Sequence, residues 1–406
     1  MKNVVITNAV RTPIGAYLGG LKTIPVQKLA ALTVNEVMKQ ANLQPDMVDE
    51  LIMGHVMSSA EAGNIARVVA LDCGMISTPA FTVNRICASG IQAVVSAYLE
   101  IVTGNSDIVI AAGAESLSRV PYYLPLEVRY EGFRNLNKVL KCTNEEHAKF
   151  CQPHDKWPDI NTMGDTAENV VALKHITRED QDFFAYNSQM RAKRATDTGR
   201  FAKEILPVHV KLKKEEFTVE TDEHMRPNTT LEALAKLKPA FREGGSVTAG
   251  NSSGLNDASA AVVVMSEEKA LELGLKPMAY VRKYATNAID PSIMGLGPVD
   301  AIKKLTYRAN LDLKKDIGML EINEAFAGQC LGCMKDLDFW FDDPFYEKFN
   351  IHGGAVALGH PLGMTGVRLC GTIAHEFTES DIRYGIASAC IGGGQGLALL
   401  MENPNA

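Results

Sequence analysis

Short Val/Ile-rich runs alternate along the first part of the chain with longer segments whose apolar residues recur at helical spacing. Over roughly the first 115 residues this pattern predicts a sheet covered by helices on both faces. Strands are expected at Val4 to Asn8, Glu50 to Val56 and Ile108 to Gly113, and helices at Val26 to Ala41 and Ser89 to Thr103. From Leu117 to Gly245 the pattern changes: aromatic, proline and charged residues accumulate, and little strand alternation precedes Leu206. This stretch reads as an insertion. Within it Thr177-Arg178-Glu179-Asp180 suits a capped helix start, with Thr177 receiving a first-turn N–H, and the helix should run to Thr198.

An internal repeat organises the two ends. Ser106-Asp107-Ile108 leads into Ile110 to Ser116, and Ser380-Asp381-Ile382 leads into Gly385 to Cys390. Each follows a helical stretch preceded by a Gly-rich turn, one holding Cys87 and the other His360. The halves read as copies of one α/β unit, with a chance likeness of two strand starts as the alternative.

At 406 residues with 46% hydrophobic residues, the chain is long enough for a large core and more than one domain. A formal net charge of −7 argues against capture by nucleic acid or an anionic membrane, which need a basic face. The start, Met1-Lys2-Asn3-Val4-Val5, lacks the regions of a signal peptide. Apolar runs such as Ala260 to Met265 fall short of the ~20 residues that cross a bilayer. A cytoplasmic location is expected. The eight cysteines are scattered, as free thiols of a reducing compartment would be. Cys330 and Cys333 form a lone CxxC without a second ligand pair, so no structural metal is expected.

Four motifs carry candidate chemistry. Asn84-Arg85-Ile86-Cys87-Ala88-Ser89-Gly90 places a cysteine at the start of a small-residue helix, where the macrodipole favours thiolate over thiol. A buried core cysteine is the plain alternative. In the run from Asn350 to Gly366, glycines flank His360, and Pro361 fixes its direction. Such a histidine could take a proton from a nucleophilic cysteine or stabilise an oxyanion, although one merely packed in a glycine-rich loop would look the same. Ala389-Cys390-Ile391-Gly392-Gly393-Gly394 ends a strand with a second cysteine before a loop whose N–H groups could face a ligand. A dinucleotide loop fits poorly there, since too little chain follows for the required helix. In Glu321-Ile322-Asn323-Glu324-Ala325-Phe326 a polar pair interrupts an apolar stretch, which costs free energy unless the pair is partnered.

Together these motifs resemble the thiolase family, whose nucleophilic-cysteine, NEAF, GHP and C-x-G-G-G motifs they match in order. Further likenesses cover nearly the whole chain: Ala9-Val10-Arg11-Thr12-Pro13-Ile14-Gly15, Met163-Gly164-Asp165-Thr166-Ala167-Glu168, Lys238-Pro239-Ala240-Phe241 and Val247 to Asp257. The resemblance implies an α/β fold of five layers, αβαβα, made of two duplicated halves and an inserted loop domain. The expected divisions are residues 1–117 with 246–270, residues 118–245 and residues 271–406. It also implies a homodimer or homotetramer.

The implied activity is that of an acetyl-CoA C-acetyltransferase, two acetyl-CoA giving acetoacetyl-CoA and CoA through an acyl-thioester intermediate. The alternative is a 3-ketoacyl-CoA thiolase for longer or modified chains. Carried over by motif, Cys87 is the nucleophile, His360 its activator and Cys390 the acid/base. His360 with a water on Asn323 forms one oxyanion hole, and the N–H groups of Cys87 and Gly392 form the other. Coenzyme A thioesters are the substrates, with no metal or other cofactor. The pantetheine arm is expected at Ser253 and Met163, the adenine end at Arg226, and Met294 at the acyl end.

Thr162 departs from the family by replacing a histidine that contacts the pantetheine, and the stretch from Pro121 to Ile160 diverges. His352 receives no role. A decarboxylating ketoacyl synthase or a cysteine hydrolase would leave Cys390 unexplained. A non-catalytic acyl- or lipid-binding relative is opposed by the intact set Cys87, His360, Asn323 and Cys390.

Overall fold

Ten strands form the central sheet of the computed structural model, which describes residues 2–133 and 139–406. Met1, and residues 134–138 within the divergent stretch from Pro121 to Ile160, lie outside the described residues. The strands are β1 (Val4–Arg11), β2 (Gly15–Ala16), β3 (Glu50–Gly54), β4 (Ala80–Val83), β5 (Ile108–Ser116), β6 (Asn256–Ser266), β7 (Ala279–Ala288), β8 (Ile317–Ile322), β9 (Tyr384–Ile391) and β10 (Gln395–Glu402). In space they run β8-β9-β10-β7-β1-β6-β5-β3-β4, with β2 paired to β6.

The repeat seen in the sequence is present in the pairing. β3 runs parallel to β5, which pairs antiparallel with β6, and β6 antiparallel with β1. In the other half β8 runs parallel to β9, which pairs antiparallel with β10, and β10 antiparallel with β7. β6 is buried along its whole length, as expected of the near-continuous apolar run from Ala258 to Met265.

Several elements exceed or fall short of their expected bounds. β1 continues past Asn8 after a bulge between Ile6 and Asn8, because Arg11 at its end is buried against Glu204 and Asp222. β5 continues to Ser116 because the buried Glu115 finds backbone N–H partners. β3 stops at Gly54, where a side chain would meet the backbone of Ser89 at 2.6 Å.

Helices cover the sheet on both sides and fill the middle. α1 (Val26–Gln40) and α2 (Ile65–Asp72) bury their apolar faces with one set of β1, β5 and β6 residues. α3 (Ser89–Val102) shares its core with the opposite set and with a later helix, Leu362–Phe377. The contact between those two helices is unusually close: a Cβ on Gly90 would lie 2.5 Å from Val367 N, and one on Gly366 only 2.2 Å from Ile91 N. Glycine is required there for space rather than for conformation.

The inserted segment supplies α4 (Met163–Lys174) and α5 (Arg178–Asp197), each opened by a threonine capping box, from Thr162 and Thr177. α6 (Gly297–Ala309) and α7 (Ala327–Asp336) cover the second half with α4, and the helix Leu362–Phe377 is α8. The two halves of the one hydrogen-bonded ladder both pack on α3/α8, so the layers are α1/α2, first half-sheet, α3/α8, second half-sheet and α6/α7. Among the described residues no helix is long and apolar enough to cross a membrane.

Candidate active site

Cys87 stands on a strand-to-helix elbow between β4 and α3, in the short 3₁₀ turn Ile86–Ala88. The elbow is built by side chains that its sequence supplies. Asn84 Oδ1 accepts Ile86 N at 3.0 Å, and Ser89 Oγ both accepts Arg85 N at 2.8 Å and donates to Ile86 O at 2.7 Å. Ile86 is held at φ +45°, an outlier for a β-branched residue that this bracing sustains.

The thiol does not follow the helix-dipole expectation. Cys87 is buried in the turn two residues before α3 begins, and burial pushes its pKa up to about 11 against the pull of the N–H groups of Gly392 and of Cys87 itself. Those two N–H groups nevertheless converge on the sulfur, the pair expected to cradle an oxyanion.

His360 is fixed on both ring nitrogens and on its backbone. Gly359, at φ +105°, brings the chain against Asn256, whose Oδ1 accepts His360 N at 2.9 Å. A Cβ on Gly359 would fall 2.3 Å from that oxygen. Nδ1 lies 2.7 Å from Thr365 Oγ1, and Asn323 Nδ2 lies 3.3 Å from Nε2. Burial, reinforced by the Arg368 cation, lowers the His360 pKa to about 4, so the resting imidazole is neutral.

Asn323 follows β8, its N–H bonded to Ser388 O at 2.9 Å. Asn350 braces this loop by bonding Ile322 N, Ile322 O and Glu324 Oε1. The Asn-Glu pair that interrupts an apolar run is thereby satisfied on the Glu324 side, which also accepts Ser188 Oγ and Val356 N. Cys390 ends β9 fully buried, and burial raises its thiol well above the usual range, with Cys87 close enough to add to the shift.

Cys87 and His360 open onto one cavity of ≈ 350 Å³. Met163, Ser253, Met294 and Phe326 line it as well. Cys390, Asn323 and Gly392 stand behind this wall rather than on it, joined to it through Cys87 and His360. Arg226 is exposed and does not line the cavity; its backbone N–H is held by Gln189 Oε1 at 2.8 Å. Thr162 reaches the wall, but its hydroxyl is spent on the α4 cap with Asp165. His352 pairs with Glu376 at 2.8 Å. Cys330 and Cys333 are buried thiols on α7, each bonded to its own carbonyl oxygen, of Asn323 and Gly295.

Profiles of protein families match almost the entire chain, "Thiolase, N-terminal domain" over residues 4–268 and "Thiolase, C-terminal domain" over residues 275–403. The chain belongs to the thiolase family. It is 43% identical over 402 residues to an acetyl-CoA acetyltransferase of Syntrophomonas wolfei, covering 99% of each chain. It is also 41% identical over 404 residues to a probable acetyl-CoA acyltransferase of Staphylococcus epidermidis, again over 99% of each.

Among solved thiolase structures it is similar to the Bacillus anthracis acetyl-CoA acetyltransferase, with TM-score 0.92, 42% identity and 99% of both chains covered. Human mitochondrial 3-ketoacyl-CoA thiolase in complex with CoA gives TM-score 0.90 at 38% identity, covering 99% of this chain and 98% of that one.

Sequence reasoning missed four residues of this thiolase site. Thr365 stood in the His360 motif without a role. Asn256 lies within the family-like run Val247 to Asp257 and Glu115 within the repeated strand Ile110 to Ser116, both without a role there, although a carboxylate in a buried strand is itself a signal. His147 lines the cavity from the divergent stretch, where no motif pointed to it.

Proposed function

We propose that this thiolase joins two molecules of acetyl-CoA into acetoacetyl-CoA and free CoA, and cleaves acetoacetyl-CoA in the reverse direction. The observation that carries the reading is that Cys87 and His360 share one cavity, with the N–H groups of Cys87 and Gly392 converging on the Cys87 sulfur and the Cys390 thiol close behind it. The relatives named as acetyl-CoA acetyltransferases support it, and the 3-ketoacyl-CoA thiolase solved with CoA supports CoA as the acyl carrier.

Cys87 Sγ attacks the thioester carbonyl as His360 Nε2 takes the thiol proton, and the N–H groups of Cys87 and Gly392 receive the oxyanion. The departing CoA thiolate takes the proton of the Cys390 thiol, the acetyl group stays on Cys87, and His360 keeps the proton it received. Cys390, as its thiolate, then removes an α-proton from the second acetyl-CoA. The burial that keeps this thiol protonated at rest makes its thiolate a strong base. His360 and a water held by Asn323 face the enolate oxygen, and the carbanion attacks the acyl-Cys87 carbonyl to expel the Cys87 thiolate, which recovers its proton from His360. Each such donor is worth ~3 kcal/mol in the transition state. Ser253 and Met163 border the pantetheine arm, Met294 closes the acyl end, and Arg226 meets the adenine end outside the cavity.

Incubating the purified protein with CoA and acetoacetyl-CoA should consume the ketoacyl thioester, and Cys87→Ser should abolish this while the fold survives. Failure to cleave any 3-ketoacyl-CoA would sink the proposal. The apolar wall of Met57, Leu117 and Leu362 favours a second reading, cleavage of longer 3-ketoacyl-CoA chains. A substrate series of increasing chain length separates the two.

A further inference from the structure

One imidazole on the cavity wall has no part in the reaction just described. His147 opens the short helical turn His147–Phe150 and faces the same cavity as Cys87 and His360. Its Nε2 lies 3.6 Å from Cys151 Sγ, and that sulfur lies 3.3 Å from the carbonyl oxygen of His147. A thiol has one proton to give. A carbonyl oxygen can only accept, so the Cys151 proton goes there, and the imidazole contact runs from Nε2–H to sulfur. Nδ1 is then a bare acceptor, and among the described residues nothing hydrogen-bonds to it. Burial lowers the His147 pKa, which keeps that lone pair free.

The pair is anchored to the catalytic turn. A side chain at Gly392 would come within 3.1 Å of Cys151 Sγ, and one at Gly393 within 2.6 Å of Cys151 O. One turn before His147, Asn144 lines the same cavity; its Nδ2 donates to Leu117 O at 2.9 Å, while its buried Oδ1 has no partner. The wall therefore presents two unanswered acceptors.

An acetyl or acetoacetyl group carries carbonyl oxygens and no strong donor. The donor nearest the reacting carbonyl on any CoA thioester is the amide N–H two carbons from the sulfur. Resting on the acyltransferase reading above, we propose that His147 is a substrate-binding residue whose Nδ1 accepts that amide N–H, with Cys151 holding the ring in the accepting tautomer.

The test pairs a substrate change with a residue change. Acetoacetyl thioesters of N-acetylcysteamine, and of the matching ester in which oxygen replaces the N–H, are cleaved with CoA by the wild type, His147→Phe, His147→Gln and Cys151→Ala. The wild type should prefer the amide about tenfold in kcat/KM. His147→Phe should lose that preference, His147→Gln should keep part of it through its side-chain oxygen, and Cys151→Ala should weaken it. Equal preference in the wild type and His147→Phe, with both folded by circular dichroism, overturns the assignment and leaves the acyltransferase reading standing. Absence of turnover in the wild type with every thioester, acetoacetyl-CoA included, overturns both.

Discussion

Thr365 Oγ1 sits 2.7 Å from Nδ1 of His360, inside the first turn of the helix that the histidine precedes. With Asn323 Nδ2 facing Nε2, the consistent tautomer carries its proton on Nδ1 and gives it to Thr365, leaving Nε2 able to accept. Thr365 is almost fully buried, so Thr365→Val preserves shape while leaving that N–H without a partner. We expect kcat/KM for acetoacetyl-CoA cleavage to fall about tenfold, and Thr365→Ser to retain most of it. Steady-state kinetics decides, and an unimpaired valine variant would remove Thr365 from the site.

The resting Cys87 and His360 are both neutral across the physiological range, since their pKa values are about 11 and about 4. Alkylation of Cys87 by iodoacetamide should therefore keep rising with pH through 9, where an unperturbed thiol of pKa near 8.5 begins to level off. Mass spectrometry of the peptide containing Cys87 measures the rate. A plateau below pH 8 would mean a preformed thiolate, as the helix-dipole argument predicts.

Much of this site was legible because its parts lie on short runs with a chemical reason for each residue. Ser89 and Gly90 follow Cys87 because one braces the elbow and the other lets α3 touch α8. The repeat was legible because each half carries the same strand start before β5 and β9. The protonation of Cys87 was not, because it depends on burial by segments far away in sequence, which outweighs the helix end. Nor was His147, whose placement depends on how the inserted segment folds back over the turn at Gly392 and Gly393.

His360 also links stability to pH. Its pKa falls from 6.5 to about 4 because burial and Arg368 disfavour the cation, so between those values the unfolded chain binds a proton that the folded one excludes. Stability is full above pH 6.5 and is lost as pH drops toward 4, by at most ~3 kcal/mol for this group. Urea midpoints measured at pH 7, 6 and 5 should fall, and the decline should be shallower in His360→Asn. Parallel declines would place the loss elsewhere.

Glu115 is the remaining joint between the halves of the site. Its buried carboxylate accepts Val56 N, Met57 N and Gly363 N, each at 3.0 Å, and faces His55 Nδ1 at 3.1 Å. Gly363 lies three residues after His360, so this one side chain ties the loop after β3 to the segment that carries His360. Despite burial, His55 and these N–H groups keep the Glu115 pKa below the usual carboxylate value. Glu115→Gln preserves size but turns an amide donor toward groups that can only donate. That should cost roughly 3 kcal/mol, in the range for breaking a buried charged pair, and lower kcat as His360 loses its anchor. Calorimetry and cleavage kinetics on one preparation would show whether both losses occur together; a full loss of activity at unchanged melting temperature would instead mean that Glu115 acts on the chemistry alone.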